Sequence, residues 1–125
     1  MGALPFISVV SPVYQAEGSV DALIERVTTE LERLCSDHEI VLVDDGSTDR
    51  SWEKISENAR RDHRIKAIRL TRNFGQHYAL SAGLRNARGQ YVVVLDCDLQ
   101  DNPRYIPELL RQAESGFDIV FTSKR

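Results

Sequence analysis

Cysteine is scarce in this sequence, and its two residues, Cys35 and Cys97, belong to no CxxC pair. Zinc sites and thioredoxin-type sites therefore lack their ligands. No apolar run approaches the roughly 20 residues that span a bilayer, and Met1 to Pro5 lack the basic and apolar regions of a signal peptide. These absences predict a chain that resides in the reducing cytoplasm.

An excess of basic charge is also missing, because 16 basic residues stand against 19 acidic ones, for a formal net charge of −3. A broad positive surface for nucleic acid is therefore not expected, and we predict no nucleic-acid partner. With 125 residues, of which 42% are hydrophobic and 28% charged, the composition is that of one globular domain. We expect that domain to occupy residues 1–125.

Strand and helix patterns alternate along the chain. β-Branched and apolar runs predict strands at residues 7–13, 39–44, 65–70, 91–95 and 118–122. Apolar residues at helical spacing predict helices at residues 19–34, 52–62, 79–87 and 103–115, the third with a small-residue face that suits close packing on a sheet. This order predicts right-handed βαβ crossovers and a mostly parallel, doubly wound α/β sheet of strand order 3-2-1-4-5.

In such a sheet the chain reverses direction between strands 1 and 4, which opens a crevice at their carboxyl ends. We expect the loops at residues 12–19, 44–49 and 96–101 to meet there. Asp96 and Asp98 lie two residues apart as a strand ends, so on extended backbone their carboxylates share one side. Such a pair could hold Mg²⁺ or Mn²⁺, with substrate phosphates completing the shell. Alternatively Asp98 or Asp101 caps the next helix, and for an isolated Asp-x-Asp that alternative is favoured.

Other polar residues in these loops also have two interpretations. Asp44 and Asp45 could accept hydrogen bonds from a ribose or a base, or could belong to an Asx-turn before a helix capped by Ser47 or Asp49. On these residues alone, the turn is the simpler interpretation.

Cationic and amide groups follow the third strand. Arg72 and Asn73 precede the third helix, where phosphate or sugar hydroxyls would be favoured, although a solvated loop arginine is an equal alternative. Glu17 could contact a nucleotide, but an exposed glutamate is commoner. The histidines share no ligand spacing, so none is assigned a metal or catalytic role.

Taken together, several segments resemble, in order and spacing, the family 2 glycosyltransferases of GT-A fold. The segments that carry the resemblance are Ser8–Tyr14, Glu39–Asp49, Arg72–Gly75, Ala82–Leu84 and Asp96–Asp101. Asn73–Gly75 and Asp96–Asp101 are most similar to the polyprenyl-phosphate branch, the dolichol- or undecaprenyl-phosphate sugar transferases.

The resemblance implies a Rossmann-like GT-A nucleotide-binding half that uses a UDP- or GDP-linked sugar with Mg²⁺ or Mn²⁺. It implies that Asp96 and Asp98 form the metal and diphosphate motif and that Asp44 and Asp45 hold base and ribose. The remaining implied donor-binding residues are Pro12, Tyr14 and Glu17 in the nucleotide pocket, Arg72 and Gly75 near the diphosphate and sugar, and Arg125 as a basic residue after strand five.

Two departures from the family pattern accompany the resemblance. Gln15 stands where the family usually has asparagine, and the sequence stops at Arg125, before the acceptor-binding half and its acidic catalytic base. We therefore expect these residues to bind nucleotide and metal weakly and to transfer little or no sugar alone. The acceptor would be a lipid phosphate or a saccharide, and the full-length protein would lie at the cytoplasmic face of a membrane. A second copy of the chain could also pair with this one and cover the apolar surface that the acceptor-binding half would otherwise bury.

Alternative functions are distinguishable by motif. A nucleotidyltransferase would favour a glycine-rich first loop with a basic residue, which residues 12–18 lack, and a haloacid dehalogenase-type phosphatase would need Asp-x-Asp after the first strand. A non-catalytic nucleotide-binding or interaction module on the same fold remains the main alternative.

Overall fold

The computed structural model describes residues 7–34, 37–95, 97 and 119–121. In this part of the chain, parallel strands form one sheet in the order β3-β2-β1-β4-β5, which confirms the predicted order. The strands are β1 (Ile7–Val13), β2 (His38–Asp44), β3 (Ile65–Arg69), β4 (Tyr91–Val94) and β5 (Ile119–Phe121). The helices are α1 (Val20–Leu34), α2 (Ser51–Arg61) and α3 (Gln76–Asn86). The predicted helix at residues 103–115 lies outside the described residues.

The sheet centre is apolar because helices cover both of its faces. On one face, Val9 and Leu42 belong to a buried cluster with Leu23 of α1 and Ile55 of α2. On the other, Val10, Val41 and Val43 pack against Ala79 of α3. β3 is an edge strand of the sheet, as predicted, and most of its side chains are half-buried.

The small-residue face of α3 lets that helix approach the sheet closely. A Cβ at Gly83 would lie less than 3.0 Å from Val10 Cγ1 on β1, so the approach depends on a residue without a side chain. The prediction of a close-packed third helix is thereby confirmed. The helix begins at Gln76, earlier than its first apolar residue Ala79, because exposed polar residues form its first turn.

A buried carboxylate joins three strands and a loop at the amino edge of the sheet. Glu39 is 2% exposed, and its Oε2 accepts hydrogen bonds from Ser8 Oγ and the Arg88 N–H, both at 2.6 Å. Its Oε1 lies 2.8 Å from Lys66 Nζ. Burial raises the pKa of Glu39, but the hydrogen bonds from Lys66, Ser8 and Arg88 outweigh it, so that the pKa is lowered. This charge therefore stabilises the fold at the edge opposite the expected crevice.

None of the helices in the part of the chain that the structure describes is long and apolar enough to cross a membrane.

Candidate functional site

The loops that follow β1 and β2 are joined by hydrogen bonds at the carboxyl edge of the sheet. The Gln15 N–H donates to Ser47 Oγ at 2.9 Å, and the Ala16 N–H donates to Ser51 Oγ at 2.8 Å. The Asp45 N–H donates to the Val13 carbonyl at 2.8 Å. The predicted meeting of these two loops is thus confirmed, and we call residues 14–19 and 45–50 together the rim.

Gln15 contributes its side chain to the rim as well as its backbone. Its Oε1 accepts hydrogen bonds from the N–H groups of Thr48 at 2.6 Å and Asp49 at 3.3 Å. Its φ of 51° lies in the left-handed region, which a non-glycine residue adopts only when its surroundings stabilise it. Sequence reasoning missed this role because the donors lie far away along the chain.

Glu17 and Asp49 complete the rim with reciprocal contacts. Glu17 Oε1 accepts from the Arg50 N–H at 3.2 Å, and Asp49 Oδ2 accepts from the Glu17 N–H at 3.2 Å. Asp49 Oδ1 also accepts from the Ser51 N–H at 2.9 Å, at the start of α2. Burial raises the pKa of Asp49, but the hydrogen bonds from Ser51 and the Glu17 backbone lower it by more, so that the pKa is below its ordinary value. Asp49 therefore forms an Asx-turn before α2, whereas the N-cap residue is Arg50, which makes no side-chain capping bond.

Asp44 lies at the base of the rim and has spare hydrogen-bonding capacity. Its side chain is fully buried, and its Oδ2 accepts from the Ser47 N–H at 3.2 Å, with Arg69 Nε 3.9 Å away. Within the described residues, its Oδ1 has no hydrogen-bond partner. A buried carboxylate oxygen without a donor costs on the order of 1–3 kcal/mol, so this atom is suited to a donor that arrives with a ligand.

Asp45 faces a third loop, residues 70–75 between β3 and α3. Asp45 Oδ1 accepts from the Phe74 N–H at 2.9 Å, and Oδ2 accepts from the Gly75 N–H at 3.1 Å. The neighbouring Gly46 has φ 72°, and a Cβ there would lie less than 3.0 Å from the backbone of Arg72. The loop that carries Arg72 and Gly75 therefore joins the same edge of the sheet as the rim.

Aromatic and cationic side chains are exposed at this edge. The Arg72 guanidinium lies 4.5 Å from the centroid of the Phe74 ring, a cation–π distance. Tyr78 on α3 is 66% exposed, and Tyr14 in the rim is 51% exposed. The edge thus combines a cation and aromatic surface with buried carboxylates, which are groups that could contact phosphate, sugar and base.

Comparison with known proteins identifies the family. Residues 8–125 match the family described as "Glycosyl transferase family 2". The chain belongs to this family. The resemblance that the motifs indicated is therefore confirmed, and the sheet described above is the GT-A-like fold of a family 2 glycosyltransferase.

Curated relatives of this family 2 chain include undecaprenyl-phosphate 4-deoxy-4-formamido-L-arabinose transferases. The protein from Edwardsiella ictaluri is 43% identical over 123 residues, which are 98% of this chain and 38% of the relative. The protein from Proteus mirabilis is 45% identical over 95% of this chain and 37% of the relative. The chain thus spans less than two-fifths of the length of these two relatives.

Solved structures of glycosyltransferases share the fold. Staphylococcus aureus TarS 1-349 superposes with a TM-score of 0.69 and 26% identity, over 88% of this chain and 32% of that one, and it has also been solved with UDP-GlcNAc. The mannosyltransferase PcManGT from Pyrobaculum calidifontis, in complex with GDP-Man and Mn²⁺, has a TM-score of 0.66 and 25% identity, over 78% of this chain and 28% of that one.

The site residues implied by the resemblance separate into two groups. Those placed at the carboxyl edge of the sheet are Pro12, Tyr14, Glu17, Asp44, Asp45, Arg72 and Gly75. Asp96, Asp98 and Arg125 lie outside the described residues.

Among the residues that are described, no three His, Cys, Asp or Glu side chains group as metal ligands. Asp96 follows Leu95 directly in sequence, and the Leu95 N–H donates to the Val10 carbonyl at 3.0 Å, so β4 ends beside β1.

Proposed function

We propose that residues 1–125 form the nucleotide-sugar-binding part of a glycosyltransferase that uses a UDP- or GDP-linked sugar. Family membership supports the reaction class, and the observation that carries the donor site is the spare acceptor Asp44 Oδ1, buried at the base of the joined rim. A base or ribose carries N–H and O–H donors that this oxygen could accept. Binding would then satisfy a polar atom that has no partner among the described residues.

The other edge residues are assigned to the donor by their exposure and chemistry. Pro12, Tyr14 and Glu17 would line the nucleotide pocket, because they lie at the end of β1 and in the loop that follows it. Arg72 and Gly75 would lie near the diphosphate and sugar, since an exposed guanidinium is a strong phosphate donor. Arg125 would add a basic group after β5.

A divalent cation, Mg²⁺ or Mn²⁺, is part of the proposal. Asp96 and Asp98 would hold it, because carboxylates are the ligands that both ions prefer. The structure of PcManGT with GDP-Man and Mn²⁺ supports the use of a divalent cation. When bound, the cation would stabilise negative charge on the leaving diphosphate. The residues of the described rim would bind and orient the nucleoside.

The acceptor and the location of the whole protein are also proposals. The curated relatives are named as undecaprenyl-phosphate transferases, so we infer a lipid-phosphate acceptor at the cytoplasmic face of a membrane. The residues that bind it, and any catalytic base, would lie in sequence corresponding to the remaining part of those relatives. Association of two copies of the chain, through apolar surface that the rest of the protein would otherwise cover, stays a prediction.

Isothermal titration calorimetry with UDP and with GDP, each in the presence and absence of Mn²⁺, tests the proposed function. We expect one nucleotide to bind, with an affinity that Mn²⁺ increases and that Asp98→Ala reduces to its metal-free value. Glu57→Ala, on the exposed side of α2, is the matched control and should bind normally. If neither nucleotide binds the unmodified chain, the result would favour a non-catalytic interaction module instead.

A further inference from the structure

Two adjacent aspartates at the end of β2 have different environments. Asp44 Oδ1 lacks a partner within the described residues, whereas both oxygens of Asp45 accept hydrogen bonds from the β3–α3 loop. The Gly75 N–H donates to Oδ2 at 3.1 Å and to Oδ1 at 3.3 Å, and the Phe74 N–H donates to Oδ1 at 2.9 Å. The resemblance assigned both aspartates to base and ribose, but their contacts indicate separate tasks.

The Asp45 carboxylate has little capacity left for a ligand. A carboxylate offers about four acceptor positions, and Asn73 Nδ2 approaches Oδ2 at 3.5 Å in addition to the two backbone donors. The same amide nitrogen donates to the Asp45 main-chain carbonyl at 3.2 Å. Only 3% of the residue is exposed. A nucleotide could therefore contact Asp45 only by displacing the loop.

The hydrogen bonds to Asp45 involve the segment directly after Arg72. They fix the backbone of Phe74 and of Gly75, which has φ 109° and precedes the first turn of α3. The Phe74 ring in turn supports the Arg72 guanidinium at 4.5 Å. Arg72 itself is exposed, so without this support its long side chain would sample many rotamers. Asp45 is thus connected to Arg72 by two contacts, the hydrogen bond from the Phe74 N–H and the packing of the Phe74 ring against the guanidinium.

We propose that Asp45 is a positioning residue, which holds the Arg72–Gly75 loop so that Arg72 is pre-organised to bind the diphosphate of the donor. The proposal rests on the proposed function, and it reassigns Asp45 from the nucleoside to the loop. Direct recognition of base or ribose at the end of β2 then belongs to Asp44. Pre-organisation of this kind increases affinity because the ordering cost is met before binding.

Binding of nucleoside monophosphate and diphosphate separates the two roles. We would titrate UMP and UDP, and GMP and GDP, into the unmodified chain, Asp45→Asn, Asp45→Ala, Arg72→Ala and the Asp45→Ala/Arg72→Ala pair. Loss of one charge-assisted contact predicts that Asp45→Ala and Arg72→Ala each weaken diphosphate binding about tenfold. Monophosphate binding should change less than about threefold, because the nucleoside contacts remain. The double variant should be no weaker than Arg72→Ala alone, because Asp45 acts through Arg72.

Amide hydrogen exchange measured by NMR without nucleotide tests the loop directly. In Asp45→Ala, the Phe74 and Gly75 amides should exchange at least about tenfold faster, and Asp45→Asn, which keeps one acceptor oxygen, should fall between. Asp62→Ala is the matched control, because Asp62 also accepts a loop N–H, from Arg64 at 2.9 Å, but precedes β3 at the opposite edge. It should leave Phe74 and Gly75 unchanged.

Three results would overturn the proposal. These are equal losses of monophosphate and diphosphate affinity in the Asp45 variants, additive losses in the double variant, and unchanged exchange of Phe74 and Gly75. If Asp45→Ala does not fold, the same titrations and exchange measurements on Asp45→Asn, compared with the unmodified chain, decide in its place. If no nucleotide binds the unmodified chain, the proposed function fails, and the exchange measurement still decides whether Asp45 holds the loop.

Discussion

Gly46 and Arg72 are in backbone contact, although they belong to the loops that follow different strands. A Cβ on Gly46 would lie less than 3.0 Å from the Arg72 carbonyl carbon, and Gly46 also has φ 72°. Both features demand glycine, for independent reasons of space and conformation. The contact makes the β2–α2 and β3–α3 loops a single unit.

Gly46→Ala should therefore destabilise the chain. We expect a loss of about 2 kcal/mol in the free energy of unfolding, from backbone strain together with the displaced loop. Urea denaturation measures it. Gly18→Ala is the control, because nothing lies within 4 Å of a Cβ at Gly18, and it should change stability by less than about 0.5 kcal/mol. Equal effects of the two substitutions would contradict this prediction.

The Glu39 charge should stabilise the fold in a pH-dependent manner. Its folded pKa lies below the ordinary value of 4.5, so its contribution is complete above that value and is lost as the pH falls through the folded pKa. Glu39→Gln should cost about 2 kcal/mol at pH 7, since the carboxylate that accepts from Ser8, Arg88 and Lys66 becomes a neutral amide. Urea denaturation from pH 7 to pH 3 should show the gap between the two proteins narrowing as the pH falls. A gap that is constant with pH would show that the charge is not responsible.

Gly83→Ala should destabilise the chain even though alanine is the better helix former. The gain in helix propensity is about 1 kcal/mol, but a Cβ would lie less than 3.0 Å from Val10 Cγ1, and overpacking costs about 1–3 kcal/mol. We therefore expect a net loss of about 1 kcal/mol by thermal or urea unfolding. Ser81→Ala, on the exposed side of the same helix, should not destabilise. Greater stability in Gly83→Ala would mean that α3 moves freely away from β1.

Asp44→Asn should separate stability from binding. The amide oxygen can still accept from the Ser47 N–H, while Oδ1, which has no partner in the described part of the chain, is replaced by an NH₂ group. Stability should therefore stay within about 1 kcal/mol of the unmodified chain. Nucleotide affinity should fall at least about tenfold, because a donor would then face the N–H or O–H of the ligand. Calorimetry and urea denaturation on the same samples test both parts, and unchanged affinity would remove Asp44 from the donor site.

Local patterns were sufficient to predict the strands and helices of the described chain and the order of the strands. The continuous apolar run at Ile40–Val43 predicted an interior strand, and all seven residues of β2 are buried. Such patterns act within a few residues, and right-handed crossovers then leave few possible topologies. The position of the aspartates at strand ends followed from the same reasoning.

The different hydrogen-bonding environments of Asp44 and Asp45 depend on contacts between residues that are distant in sequence. Nothing in the run Asp44–Ser47 indicates that one carboxylate would bind the Phe74 and Gly75 amides while the other keeps a spare oxygen. Likewise the family pattern marks Gln15 only as a minor departure, whereas in the structure its Oε1 accepts from the Thr48 and Asp49 N–H groups.

By itself, the sequence determined the family, the alternation of strands and helices and the candidate residues at the carboxyl ends of the strands. Those properties follow from motif order and from hydrophobic periodicity, which are local. Only the tertiary structure decided which oxygens are already occupied, because hydrogen-bond partners from three loops are brought together by the sheet. A carboxylate has the same chemistry in every sequence, and its neighbours in space determine whether it binds a ligand or holds a loop.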